Sequence, residues 1–449
     1  MSLVLEAELT WTGAEFAPDV QVVVDGAGRI EQVGALGRAD ASRLRGLALL
    51  PGFVDAHSHA FQRGLRGLGE AFPAGAGSFW SWREAMYALV DSLDGKTLRR
   101  LSARAFAEMR DAGITTVGEF HYLHHEREGD FALDQAVVEA AADVGIRLVL
   151  LYSYYATGAP GRALEGGQRR FATPSLDGFW HQVDRLAGVL APDTQTLGIA
   201  PHSIRAASPA EIRLLYEEAR RRGLPVHLHV EEQRREIEES LAAYGRTPMA
   251  VILDAVQGGP FTAVHCTHSA DQDLARFVAG GGIVCLCPLT EGNLGDGIPR
   301  LARAHAARGR LALGTDSNAR LAMLEEMRWL EYGQRLRDEI RGALPDPAGN
   351  IAPTLLDAAT AGGALALGVP AGRIAPGCWA DLVAVDLGAP ALADVPRERL
   401  LEALVFGAGN EVITGTYVGG RWRERGSGAT GIRTRDESSA LAGRRGAGK

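Results

Sequence analysis

Lysine is almost missing from these 449 residues: it occurs at Lys96 and Lys449 only, while the other 45 of the 47 basic residues are arginine. Cysteine is scarce too, at four positions (Cys266, Cys285, Cys287 and Cys378). A disulfide framework is therefore not expected, and the simplest reading is reduced thiols in a cytosol. No stretch reaches the ~18 apolar residues of a membrane-spanning helix. The start, MSLVLEAELTWTG, lacks the basic region and cleavage site of a signal peptide. Basic charge is short overall, with 47 Lys and Arg against 55 Asp and Glu. Six of the basic residues fall in 425–449, which makes the body still more acidic. Such a body argues against nonspecific nucleic-acid binding, which needs a basic surface. The segment 425–449 has little to bury and reads as a disordered tail. With 46% hydrophobic and 23% charged residues, the rest has the composition of a globular protein with a large core.

What is present alternates. Residues 1–50 carry short β-like pieces (LVLEAELTW, DVQVVVDGAGRIEQVG, LRGLALLPG), and 368–424 carry similar ones (PGCWADLVAVDLG, EVITGTYVGGRW). The two ends are expected to pair as one small β-sandwich, with 51–367 inserted between them. The insert holds eight strand candidates: 52–59, 114–122, 147–155, 196–203, 225–232, 261–268, 282–289 and 310–317. Their interiors are apolar runs, as in strands buried on both faces. Helical patterns lie between them. One opens with a capping box, Ser208, Pro209 and Glu211. Eight strand–helix units predict a (β/α)8 barrel of the α/β class.

Polar residues gather at one end of these strands: His57 and His59, Glu119 and His121, His202, His229 and Glu232, His265, and Asp316. In a barrel those ends meet on one face, where active sites lie. His57 and His59 have period-2 spacing, so both imidazoles point the same way. His229 and Asp316 complete three nitrogens and one oxygen, a set suited to zinc or Fe2+ with a position left for water. His227 shares a face with His229 and is expected to point into the barrel core instead. Glu232 is placed to carry a proton, and His265 to polarise the electrophile or stabilise charge. A metal pair bridged by a modified lysine from the fourth strand is excluded, because TLGIAPHS has none. Cys285-Leu286-Cys287 lacks visible partner donors and reads as core. His121, His124 and His125 read as loop histidines.

The ordered set PGFVDAHSH, HLHVEE, AVHCTH, LGTDS and PGCWADLVAVD resembles the amidohydrolase superfamily, in its mononuclear deaminase branch, over about residues 1–424. The resemblance implies a TIM-like barrel with a β-sandwich from both chain ends. It also implies His57, His59, His229 and Asp316 as ligands of one Zn2+, and Glu232, His265 and Asp316 as catalytic. A narrower match (HAFQRGLRG, FWSWREAMY, EFHYLHH, APHSIRA, CPLTEGNLGDG) is similar to the formimidoylglutamate deiminases of histidine degradation. That family hydrolyses N-formimino-L-glutamate to N-formyl-L-glutamate and ammonia. It implies Gln62, Arg83, Tyr122, His202 and Arg205 as substrate-binding residues, and a homodimer. HVEEQ stands where the family has HxAEQ, and PLTEGNLGDG where it has PTTEANLGDG; neither departure touches a ligand.

The residues alone fit a dicarboxylate, since arginine forks match carboxylates bidentately. Surface salt bridges are the competing reading for Arg83 and Arg205, and Tyr122 has an equal claim to the core. A deaminase acting on guanine or another heterocycle is the rival enzyme. A noncatalytic barrel that binds other proteins is the rival of another class.

Overall fold

The computed structural model describes residues 3–68, 70, 77, 79–307 and 309–426. The expected tail therefore lies outside the described residues from 427 onward. Eight parallel strands follow in chain order: β1 (Phe53–Ser58), β2 (Ile114–His121), β3 (Arg147–Tyr154), β4 (Gln195–Pro201), β5 (His227–Val230), β6 (Thr262–His265), β7 (Ile283–Leu286) and β8 (Arg310–Leu313). Hydrogen bonding runs in two four-strand groups, β1–β4 and β5–β8. Isolated parallel bridges join them at both seams, Ile199 with Val226 and Ser58 with Asp316. Ile199 N donates to Pro225 O, while Thr315 N and Asp316 N both donate to His57 O. These contacts close the cycle into a (β/α)8 barrel.

At the β8–β1 seam the backbones approach closely. A Cβ on Gly314 would lie 2.7 Å from His57 O, so only glycine allows the approach. The connecting helices obey their local signals. The helix Pro209–Arg222 has Ser208 as its cap, Pro209 in its first turn, a reciprocal Ser208–Glu211 box and a left-handed Gly223 at its end.

The two chain ends share one sheet. Its order runs 421–424, 413–418, 382–386, 42–51, 3–11, 21–24 and 30–34, with 16–17 pairing beside 3–11. Strand 382–386 lies antiparallel to 42–51, with Leu382 opposite Pro51. A buried ion pair, Arg147 Nε to Asp381 Oδ2 at 2.6 Å, ties this sheet to β3. Among the described residues, no helix is long and apolar enough to cross a membrane.

Candidate active site

The C-terminal ends of β1, β5 and β8 bring His57, His59, His229 and Asp316 together. One ligand atom from each lies within 4.8 Å of the others, and all four residues are buried. Asp316 Oδ1 is 3.5 Å from His57 Nε2 and 3.4 Å from His59 Nε2. His229 Nε2 is 3.2 Å from His57 Nε2 and 3.4 Å from His59 Nε2.

Outer contacts set the tautomers. His59 Nδ1 donates to Phe120 O at 2.8 Å, and His229 Nδ1 donates to His202 O at 3.1 Å. Each then turns a bare Nε2 lone pair to the centre. Burial lowers the pKa of His57 to about 3 and depresses those of His59 and His229, so the rings are neutral. Burial works against the Asp316 carboxylate, but its contact with His57 and the charge on His265 hold its pKa below the usual range. Converging lone pairs at these distances repel one another unless a cation lies among them. The donor set therefore fits one divalent metal ion.

A second network holds Asp316 in place. Thr315 N donates to Asp55 Oδ1 at 3.0 Å, and Thr315 Oγ1 lies 2.5 Å from Asp55 Oδ2. Asn318 Nδ2 donates to Ser58 Oγ and to His59 O at 3.1 and 3.0 Å. These bonds fasten the turn after β8 to the end of β1. Asp316, Asn318 and His265 all take positive φ, at 46°, 58° and 75°. Such strain at non-glycine residues concentrates at functional sites.

His265 Nε2 is 3.8 Å from Asp316 Oδ2 and 4.0 Å from Glu232 Oε1, while its Nδ1 lies 3.3 Å from Glu291 Oε1. Burial opposes charge on His265, but Glu232, Glu291 and Asp316 outweigh it and raise its pKa well above the ordinary value. Burial and Asp316 raise the pKa of Glu232 against the pull of His265 and Arg205.

A cavity opens from this floor. Gln62, Arg83, Tyr122, His202 and Arg205 all line it, together with His59, His229, Glu232, His265 and Asp316. Gln62 Nε2 donates to Tyr122 OH at 2.8 Å. Arg83 Nε donates to Tyr87 OH at 2.9 Å. Arg205 is 9% exposed, and its Nε finds no hydrogen-bond partner among the described residues.

Two expectations need correction, and a third holds. Glu119 and His121 do not join the site, because Phe120 takes the inward position between them and packs 4.4 Å from the His229 ring. Glu119 instead accepts from Ala60 N at 2.7 Å. His121, His124 and His125 lie in loop or strand-end backbone but are buried. Asp134 Oδ1 lies 3.0 Å from His121 Nε2 and 2.8 Å from His124 Nδ1, and His125 Nε2 is 2.7 Å from Ala172 O. His227 turns away from the four ligand-type residues, its Nε2 2.8 Å from Ala366 O, in line with the core reading.

Sequence reasoning missed Trp82, Tyr87, Tyr155 and Phe171 of the cavity wall, and Glu236 and Glu291 behind it. Tyr155 directly follows β3, a strand end from which no site residue was expected. Glu236 is 1% exposed, with neither carboxylate oxygen hydrogen-bonded among the described residues. Burial pushes its pKa up to about 7, although Arg205 pulls the other way. A neutral Glu236 leaves Arg205 open to an anion. The fold favours the protonated form, so this stabilisation is full below the ordinary value of 4.5 and is lost as pH rises toward 7. Glu236→Gln stays neutral; it is expected to raise Tm by a few degrees at about pH 8 and not at about pH 4. Equal shifts at both pH values in thermal melts would refute the burial argument.

A closed (β/α)8 barrel with a His3Asp set at its mouth defines a metal-binding enzyme class, and the chain belongs to the amidohydrolase family, whose sequence profile matches residues 48–423. Among its relatives is the formimidoylglutamate deiminase of Pseudomonas aeruginosa, 38% identical over 415 residues and 91% of each chain. An amidohydrolase structure from Brucella melitensis superposes with a TM-score of 0.81 at 31% identity, covering 95% of this chain and 97% of that one. An adenosine deaminase from Xanthomonas campestris with bound zinc gives 0.80 at 25% identity, covering 94% and 93%.

Proposed function

We propose that this chain is a metal-dependent hydrolase that converts N-formimino-L-glutamate and water to N-formyl-L-glutamate and ammonia. The observation that carries this reading is the polarity of one cavity. Its floor has Glu232, His265 and Asp316, and its wall has Arg83 and Arg205. The 38% identity to a formimidoylglutamate deiminase supports the same substrate.

His57, His59, His229 and Asp316 would hold one zinc ion, and the same donors also suit Fe2+. When bound, such an ion lowers the pKa of a water molecule toward neutrality. Asp316 then accepts a proton from the attacking water. The formimino carbon becomes tetrahedral as the C–O bond forms, and His265 stabilises the charge that develops. Glu232 delivers one proton to the imine nitrogen; as the C=O bond forms, the remaining hydroxyl proton passes to the same nitrogen, the C–N bond breaks and ammonia leaves, and the proton held by Asp316 returns to Glu232. Arg83 and Arg205 hold the carboxylates of the glutamate part, with Gln62, Tyr122 and His202 as neutral partners. This keeps the carbon within reach of the floor.

Ammonia release is the test, with N-formimino-L-glutamate offered beside guanine, cytosine and N-formimino-glycine. Turnover of the first alone is expected. Turnover of a heterocycle instead would discard the roles of both arginines. Arg83→Met and Arg205→Met are each expected to raise KM by about 10- to 100-fold, given roughly 1.5–3 kcal/mol for a hydrogen bond to a charged group. Unchanged KM in both variants would rule out the clamp.

A further inference from the structure

Tyr87 and Tyr155 stand outside the substrate set inferred from the sequence, and both line the cavity beside Arg83 and Arg205. Tyr155 directly follows β3, and its backbone is pinned. Its N donates to Thr173 Oγ1 at 2.6 Å, and Thr173 N donates to its carbonyl at 3.0 Å. The residue is 4% exposed, and its ring stands edge-on to His202 and Phe171, with centroids 4.7 and 5.5 Å away. Arg83, Arg205, Tyr87 and Gln168 are the polar neighbours of its hydroxyl.

Tyr87 lies on the helix Phe79–Ser92, one turn beyond Arg83. Its oxygen accepts from Arg83 Nε at 2.9 Å and from Gln168 Nε2 at 3.1 Å. Glu165 N donates to Gln168 Oε1 at 3.1 Å, which fixes the amide and turns Nε2 toward the phenols. Gln168 also acts as a donor toward the Tyr155 hydroxyl. Both phenol oxygens thus receive hydrogen bonds, and each phenol's own hydrogen needs an acceptor. The guanidinium groups offer none. Burial raises the pKa of the Tyr155 phenol, so it keeps its hydrogen at neutral pH.

We propose that Tyr87 and Tyr155 determine specificity by donating their phenolic hydrogens to the substrate, one to each of its two carboxylates, beside Arg83 and Arg205. This rests on the dicarboxylate reading above. A neutral donor adds direction without adding charge. A substrate short of one carboxylate leaves a phenol unpaired in a buried wall, and such sites reject analogues that lack the partner group.

Glutarate, a five-carbon dicarboxylate without a formimino group, tests this by calorimetry on the zinc-loaded protein, beside steady-state kinetics. Tyr87→Phe and Tyr155→Phe keep the rings and their packing. Each is expected to weaken glutarate binding and raise KM for N-formimino-L-glutamate by about tenfold, with kcat within about twofold, the scale of one hydrogen bond to a charged group. KM for N-formimino-glycine, which has one carboxylate, should move in only one of the two variants. Tyr154→Phe removes a hydroxyl bonded to Glu211 outside the cavity and should change none of these values. Glutarate bound as tightly by both variants as by the unaltered protein would overturn the phenol roles and leave the arginines in place. A fall in kcat with KM unchanged would overturn them as well. No glutarate binding to the unaltered protein would overturn the dicarboxylate reading itself.

Discussion

Replacing Glu232 with glutamine is expected to cut kcat by roughly a thousandfold, the scale of a lost general acid–base group, while leaving bound metal at the level of the unaltered enzyme. The two readouts separate because of where Glu232 sits. It lines the cavity, with Oε1 4.0 Å from His265 Nε2, and it is not one of the four residues whose ligand atoms converge. Glutamine keeps the size and a hydrogen-bonding head but cannot give up or take a proton at neutral pH. Metal content by atomic absorption and single-turnover ammonia release measure the two effects on one sample. Near-normal turnover would show that the proton reaches the leaving nitrogen by another route. Loss of metal would show that Glu232 supports the ligand set rather than the chemistry.

Replacing His229 with alanine is expected to abolish both metal retention and turnover. Its Nε2 stands 3.2 Å from that of His57 and 3.4 Å from that of His59, so it belongs to the centre of the set. Removing it leaves two nitrogens and one oxygen. Even outer partners of metal ligands cost about 10- to 100-fold in affinity when lost, and a direct donor costs at least as much. Thermal melts give a second readout. An ion at a hundred times its Kd stabilises the folded state by about 2.7 kcal/mol, so zinc should raise Tm in the unaltered protein and scarcely at all in His229→Ala. Without metal, the alanine variant loses one of three facing lone pairs and should melt no lower than expected for its cavity alone. A variant that retains stoichiometric zinc after dialysis would remove His229 from the ligand set.

Both predictions concern residues visible in the sequence, and the reason is geometric. Parallel strands joined by helices must point their C-terminal ends the same way, so polar residues at those ends meet however far apart they lie in the chain. Period-2 spacing places His57 and His59 on one face. The strand candidates match the observed strands closely, and the differences fall mainly at the ends. The fifth shrinks from 225–232 to His227–Val230. Glu231 leaves the strand at a φ of 55°, and that break comes immediately before Glu232.

The same alternation misplaces Glu119 and His121. Period 2 says that they share a face, but not which face is inside. Phe120 occupies the interior because its ring fills space among His57, His59 and His229. Tyr87, Tyr155, Glu236 and Glu291 were equally illegible. They sit on helices and strand exits, where direction depends on packing against other units rather than on local period.

The sequence by itself determined the order of elements, the closure of eight strand–helix units into a barrel, and the four residues that converge at its mouth. These follow from local periodicity and chain direction, which neighbouring residues encode. Only the tertiary structure decided that Asp55 and Asn318 fasten the turn bearing Asp316 and that Glu291 orients His265. Those contacts join residues up to 260 positions apart, as from Asp55 Oδ1 to Thr315 N, and no local pattern records which side chains meet once the barrel closes.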